Sequence, residues 1–163
     1  WLRSLKLLDQ PAQTREETSK YTDLKLDGKA SQFSLRMQAK SVITSPSGKM
    51  ILDRQGVYEI SGLAWSGNGS IRRVEVSADG GRSWAEAMLQ SEPGPMRAVR
   101  FRIPWRWQGQ PAVLQSRAVD SAGNVQPTRA SALANVAPGF SYHFNGIQSW
   151  QVNANGSLRN VYA

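Results

Sequence analysis

The 163-residue chain contains no cysteine. That removes disulfides, thiolate nucleophiles and sulfur ligands to metals, and leaves the redox compartment undetermined by composition. A single histidine, His143, is present, so sites that need several imidazoles are excluded and a dedicated transition-metal site is not expected. No run of about 18 apolar residues occurs, so no membrane-spanning helix is encoded. Trp1 stands where an initiator methionine would be, and no signal-peptide core follows it; the chain is expected to be cut from inside a longer protein. No segment keeps helical spacing over a long stretch, and no fixed-period repeat recurs, which argues against a solenoid or propeller.

The length suits one domain, or one domain with an extension. Hydrophobic residues make up 40% and charged residues 20%, with six Trp, so a soluble globular domain is expected rather than a disordered tract. The net charge of +8 is compatible with an anionic partner or substrate. The cations are scattered rather than gathered into a stripe or recognition helix, and nucleic acid is not an expected partner.

The first 30 residues read as a connector: an apolar run, then Pro11-Ala12-Gln13-Thr14-Arg15-Glu16-Glu17-Thr18, rich in turn and N-cap residues. From residue 32 the pattern becomes period two, with Phe33, Leu35, Met37 and Ala39 alternating with polar neighbours, and predicts a strand over 32–40. Further strands are predicted over 57–65, closed by Ser66-Gly67-Asn68-Gly69, and over 71–77, which enters a hairpin at Asp79-Gly80-Gly81 and restarts at Trp84. Over 99–107, Val99, Phe101, Ile103, Trp105 and Trp107 alternate with Arg100, Arg102 and Arg106. Pro104 on the cationic side argues for an edge or a bulge. Strands over 112–120 and 140–152, the latter followed by the Asn155-Gly156 turn, complete the series. About seven short strands predict an all-β, immunoglobulin-like β-sandwich of two sheets over residues 31–163.

Chemical motifs are sparse. His143, between Tyr142 and Phe144, reads as a partly buried strand residue rather than a proton-transfer group. No Gly-x-Ser-x-Gly elbow is present, and Gly62, Gly67 and Gly69 match neither the dinucleotide nor the P-loop spacing. The arginine row of 100, 102 and 106 would attract anions, and Trp105 and Trp107 would stack on bases, but alternation puts the two sets on opposite faces. Trp105 and Trp107 are therefore core candidates first and dimer-interface candidates second. Ser77, Asp79, Gly81 and Trp84 fit Ser-x-Asp-x-Gly-x-x-Trp, which resembles the Asp-box hairpin of sialidase-type propellers and is a structural motif. A small glycosidase would need two convergent carboxylates, and the 12 acidic residues do not reveal such a pair. No catalytic residue and no metal ligand is assigned.

Four stretches together resemble the C-terminal dimerisation domain of the sulfite oxidase family of molybdenum enzymes. They are Trp1-Leu2-Arg3-Ser4-Leu5, Ser41-Val42-Ile43-Thr44-Ser45-Pro46, Gly62-Leu63-Ala64-Trp65-Ser66-Gly67 and, most specific, Arg73-Val74-Glu75-Val76-Ser77-Ala78-Asp79-Gly80-Gly81-Arg82-Ser83-Trp84. Pro104-Trp105-Arg106-Trp107, Gln115-Ser116-Arg117-Ala118 and Tyr142-His143-Phe144-Asn145-Gly146-Ile147-Gln148-Ser149-Trp150 look closest to bacterial sulfane dehydrogenase subunits of the thiosulfate-oxidising system.

The resemblance implies a homodimer made largely by this domain, acting as scaffold for a periplasmic parent oxidoreductase. It implies a molybdenum cofactor (molybdopterin) in the parent protein and none in this chain. It also implies a c-type cytochrome as electron acceptor and a sulfur-carrier protein as a further partner. Sulfite oxidases carry, near the C-terminus, an arginine that helps bind the oxyanion; the matching position here is Asn145, the substrate-pocket candidate. A neutral amide there implies a substrate other than free sulfite, such as protein-bound sulfane sulfur. The alternative from a different class is a free-standing β-sandwich that binds carbohydrate or protein on exposed aromatics.

Overall fold

Period-two segments become strands where a facing layer exists to bury one side of them. The computed structural model describes residues 1–32, 34–134 and 143–162 and divides into two units. The first is Trp1–Leu35 with His143 and Phe144; the second is Arg36–Ala134 with residues 145–162.

In the first unit, residues 1–13 are irregular and exposed. Helix α1 (Arg15–Lys20) starts at a capping box, in which the Thr14 hydroxyl accepts from Glu17 N and the Glu17 carboxylate accepts from Thr14 N at 2.8 Å. Two otherwise orphaned donors are thereby satisfied. A small antiparallel ribbon follows, β1 (Thr22–Leu24) paired with β2 (Ala30–Gln32). The expected connector thus holds a helix and a ribbon, and the unit boundary falls at Leu35/Arg36, a few residues beyond position 30.

The second unit is an all-β sandwich. Its strands are β3 (Lys40–Ser45), β4 (Gly56–Trp65), β5 (Ile71–Ser77), β6 (Ala85–Leu89), β7 (Val99–Trp107), β8 (Ala112–Asp120), β9 (Ser149–Val152) and β10 (Leu158–Val161). A short helix α2 (Arg129–Leu133) lies between β8 and β9. The hydrogen-bonded order is β10-β9-β8-β5-β6-β7-β4-β3. Strand β6 carries the bend: Ala85, Glu86 and Ala87 pair with β5, whereas Met88 and Leu89 pair with β7. One ribbon of strands is folded into two layers at β6.

Ile60, Ala64, Val99 and Phe101 from one layer meet Val74, Val76, Leu114 and Ala118 from the other, all buried. Gly62 is the close crossing in this core. A Cβ there would overlap the Val42 carbonyl oxygen and the Phe101 ring, so a side chain would force the two strands apart.

The far side of the sandwich, from β3 to β8, is closed by polar groups. Gln126 is 2% exposed. Its Oε1 accepts from Ser41 N (2.7 Å), the Ser41 hydroxyl (2.8 Å) and Ala118 N (3.1 Å), while its Nε2 donates to Ser41 O (3.3 Å). The Ser41 and Ser116 hydroxyls lie 2.9 Å apart. The Trp150 indole adds a second tie, donating to Ile43 O at 3.3 Å.

Several expectations are corrected. The sandwich has eight strands, as the expected all-β, immunoglobulin-like fold of about seven strands requires; the corrections concern two strand bounds. The strand predicted over 32–40 stops at Gln32, and the next begins at Lys40. Leu35 and Met37 are exposed, Ala39 is buried, and Phe33 lies outside the described residues. The stretch crosses the unit boundary at Leu35/Arg36, and Met37 lies in a loop, its carbonyl accepting from Gly67 N at 2.7 Å. The strand predicted over 140–152 begins only at Ser149; Phe140 and Tyr142 lie outside the described residues, and His143 sits half-buried in a bend, not in a strand. Ile147 N instead bonds Pro127 O at 2.9 Å, which holds this stretch as a loop.

At the end of β8, Asp120 is fully buried and accepts from the Ser66 hydroxyl (2.9 Å), Ala122 N (3.0 Å), Asn124 N (2.9 Å) and Asn124 Nδ2. Burial alone would raise its pKa; the Asn124, Ser66 and Ala122 bonds outweigh burial and hold it below the usual carboxylate range. A depressed folded pKa contributes stability above about pH 4 that is lost as pH falls through the folded value. Asp120→Asn is therefore expected to lose about 2–3 kcal/mol at pH 7, with the gap from the parent sequence closing below about pH 4; urea midpoints measured at pH 7 and pH 3 check this, and parallel pH profiles would refute it. Gln126→Leu, which strands Ser41 N and Ala118 N, is expected to cost about 2–4 kcal/mol in the same assay.

Candidate functional site

Asn145 reaches its position through the loop described above. The Ile147–Pro127 backbone bond and the buried Ile147 side chain fix the turn after it. Asn145 itself is 8% exposed, and its Nδ2 donates to Ala39 O at 3.3 Å, just ahead of β3. It lines a cavity of about 290 Å³ with Gln38, Asn68, Asn124, Val125 and Pro127. The lining carries four amide side chains and no charged one. Asn124 is held in it by two bonds from its Nδ2 to the Asp120 carboxylate, at 3.1 and 3.0 Å. Such a wall offers hydrogen bonds to a neutral or backbone-like group and supplies no cation to a small dianion.

The Ser77–Trp84 hairpin follows β5 and meets the start of β8, and its Gly80, Gly81 and Trp84 line one cavity together with Gln126 and Ile147. The Ser77 hydroxyl accepts from Gly81 N (2.8 Å) and lies 2.7 Å from Asp79 Oδ1. Asp79 accepts from the Ser83 hydroxyl (2.6 Å) and Ser83 N (3.0 Å). Those Ser83 bonds, then the one from Ser77, hold the Asp79 carboxyl far below its ordinary range. Gly81 takes φ of +90°, which an L side chain rarely adopts, and its carbonyl accepts from the Trp84 indole at 3.0 Å. Trp84 in turn lies under Arg117, whose guanidinium carbon is 4.2 Å from the ring centroid. Arg117 bonds Glu75 at 2.6 Å, and Arg73 bonds the same carboxylate at 3.2 Å. Burial would raise the Glu75 carboxyl, but these two guanidiniums outweigh it and lower it. The hairpin is thus fixed to the outer face of β5 and β8.

Strand β7 presents its two sets of residues on opposite faces. Val99, Phe101 and Trp107 are buried, Ile103 and Trp105 half-buried, and Arg100, Arg102, Pro104 and Arg106 exposed. Trp107 is 4% exposed, meets Tyr58 edge-on at 6.4 Å and donates to Gln110 O at 2.8 Å. Pro104 lies beyond the two residues of β7 that pair with β6, where its missing N–H costs that ladder nothing. The structure therefore gathers Asp79, Trp105 and Trp107 around one cleft and sets Asn145 in a different cavity. Gln126 and Asp120, which organise the Asn145 end, carried no motif; the Ser121-Ala122-Gly123-Asn124 turn after Asp120 was the available signal.

The profile of the Mo-co oxidoreductase dimerisation domain matches residues 31–145. The crystal structure of the sulfane dehydrogenase SoxCD from Paracoccus pantotrophus is 49% identical with a TM-score of 0.89, over 94% of this chain and 40% of that one. Mitochondrial sulfite oxidase of Mus musculus is 38% identical over 105 residues, 60% of this chain and 19% of that protein. NADH nitrate reductase of Hordeum vulgare is 35% identical over 107 residues, 57% of this chain and 12% of that protein. The chain thus spans about a fifth of the length of the mouse relative. With most of its length matched by one profile, the chain belongs to the Mo-co oxidoreductase dimerisation domain family.

Proposed function

We propose that this chain is the dimerisation and positioning module of a periplasmic molybdenum oxidoreductase that acts on sulfite or on sulfane sulfur carried by a protein. The observation that carries this reading is the 49% identity to the sulfane dehydrogenase SoxCD over 94% of the chain. In this reading residues 1–30 connect to the catalytic domain. Exposed Leu2, Leu5, Leu7 and Leu8 support it, because a run of solvent-facing leucines calls for a covering surface. The chain has no cysteine, and among the described residues no cluster of three or more His, Cys, Asp or Glu is placed to hold a metal. Its residues do not fit the molybdenum cofactor, whose chemistry belongs to the catalytic domain of the parent. The net charge of +8 suits docking of acidic partners, here a c-type cytochrome electron acceptor and a sulfur-carrier protein.

We assign the second copy to the outer face of β6, β7, β4 and β3. There Val57 and Met88 stand 61% and 62% exposed. Between them lies a groove of about 590 Å³ lined also by Glu59, Glu86, Arg102 and Pro104. Acids and a guanidinium beside exposed apolar groups suit a twofold contact, in which each copy meets the same patch. Trp107 acts as a core anchor, and Trp105 packs partly against the same core.

Light scattering across a dilution series is expected to give a dimer, and the Val57→Asp/Met88→Asp double variant a folded monomer with unchanged circular dichroism. A dimer that survives both changes would move the contact to another face, and a strict monomer of the unaltered chain would remove the module reading. In the parent enzyme Asn145→Arg is expected to lower KM for free sulfite roughly tenfold by adding a charge-assisted contact. An unaltered parent that turns over free sulfite efficiently and carrier-bound sulfane poorly would overturn the assignment of Asn145.

A further inference from the structure

The cleft at the hairpin end of the sandwich has the features of a built anion site. It encloses about 380 Å³ between the hairpin turn, the end of β7 and the start of β8. Trp105, Trp107 and Pro111 line it together with Arg82 and Arg106; β7 pairs with β6 only at Phe101 and Arg102, so at its open edge residues from both of its faces border the cleft. Among the described residues neither arginine is in an ion pair. Arg82 is nevertheless oriented, because its Nε donates to Asp79 O at 3.0 Å. That bond leaves the outer edge of its fork, with both terminal nitrogens, open to a ligand.

One carboxylate, Asp79, also lines the cleft. Its two oxygens are taken up inside the turn, Oδ1 by Ser83 N and Oδ2 by the Ser83 hydroxyl. Gln151 is held by Arg159, which donates to its Oε1 at 3.0 and 2.7 Å. The cleft walls are therefore pre-set. Trp107 is locked by its bond to Gln110 O, and the turn is tied to β8 by Gly80 N on Val113 O at 3.0 Å. A rigid apolar floor with two cations at the mouth selects a ligand that is flat and apolar at one end and anionic at the other.

We propose that this cleft binds a carboxylate carried on a flat apolar body, with Arg82 and Arg106 taking the charge and the Trp105 indole taking the body. Two sources offer that chemistry: a free aromatic acid, and the C-terminal carboxylate of a peptide ending in an aromatic residue. The volume admits one such group and not a folded surface.

The test is a titration of the whole chain, ¹⁵N-labelled, with three probes: indole-3-acetate, a tripeptide ending in phenylalanine, and the same tripeptide with its carboxyl amidated. Saturable shifts of the Trp105 indole N–H are expected, with Kd of about 1 mM or tighter for both acids. The amidated peptide and the Arg82→Gln/Arg106→Gln double variant are each expected to bind at least about tenfold more weakly. Both arginines project to solvent, so a preserved spectrum is expected to show the variant folded. A tighter peptide than free acid identifies a chain terminus as the source, and the reverse identifies a small metabolite; either supports the site. Shifts that never saturate, or equal affinity for acid and amide, or unchanged binding in the double variant, would each overturn it.

Discussion

The Gln126 carboxamide is the constraint on which the sandwich closes. The two layers are continuous through β6, so hydrogen bonds already join them on that side. Nothing in a ladder pattern joins β3 to β8 on the other. Gln126 does so by accepting from the Ser41 and Ala118 backbones at once. Apolar packing alone would let β3 slide over β8 at little cost, since burial is roughly proportional to area and has no direction. A fully satisfied buried amide has direction, and any slip strands two N–H groups, each worth about 1–3 kcal/mol. The β4 ladder fixes β3 on one side, and Gln126, with the Ser41–Ser116 and Trp150–Ile43 bonds, fixes it against β8 and β9 on the other.

From that closure the rest follows. With β3 fixed, the Ala39 carbonyl ahead of it is fixed too, and Asn145 has an acceptor at a defined place. Asp120 performs the equivalent service one turn away, gathering Ser66 from the end of β4 and Asn124 from the β8 turn. The amide-lined cavity is thus framed by two buried polar knots rather than by its own contacts. The hairpin is held by Ser77, Asp79 and Ser83 and anchored through Trp84 and Arg117, and its Gly80, Gly81 and Trp84 line a cavity together with Gln126 and Ile147.

What could be read from residues alone tracks where one local rule governs. The alternation from Val99 to Trp107 was legible because both faces of β7 obey it, core on one side and solvent on the other. The hairpin was legible because its glycines and Asx geometry are dictated within eight residues. The stretch from Gln32 to Lys40 misled because it crosses the boundary between the two units at Leu35/Arg36, and Leu35 and Met37 stand exposed despite their alternation. Gln126 was invisible for the opposite reason: its partners lie 85 residues away at Ser41 and 8 away at Ala118, and no spacing rule reports a long-range buried amide. Asn145 is a candidate through resemblance and not through pattern, and its neighbours Asn68 and Asn124 come from distant turns that only the fold joins.

The charge distribution gives the two cavities different recognition chemistry. The cavity beside Asn145 has polar walls without charge, so a small dianion entering it would give up hydration and find no counter-charge from this chain. A thiol-linked or backbone-borne group would give up far less. The cations lie elsewhere, along the exposed face of β7 and at the mouth of the hairpin cleft. Exposed guanidiniums at those places act over about a Debye length, 8–10 Å. The amide-lined wall and the exposed guanidiniums thus differ in chemistry: the amides offer neutral hydrogen bonds, and the guanidiniums attract anions.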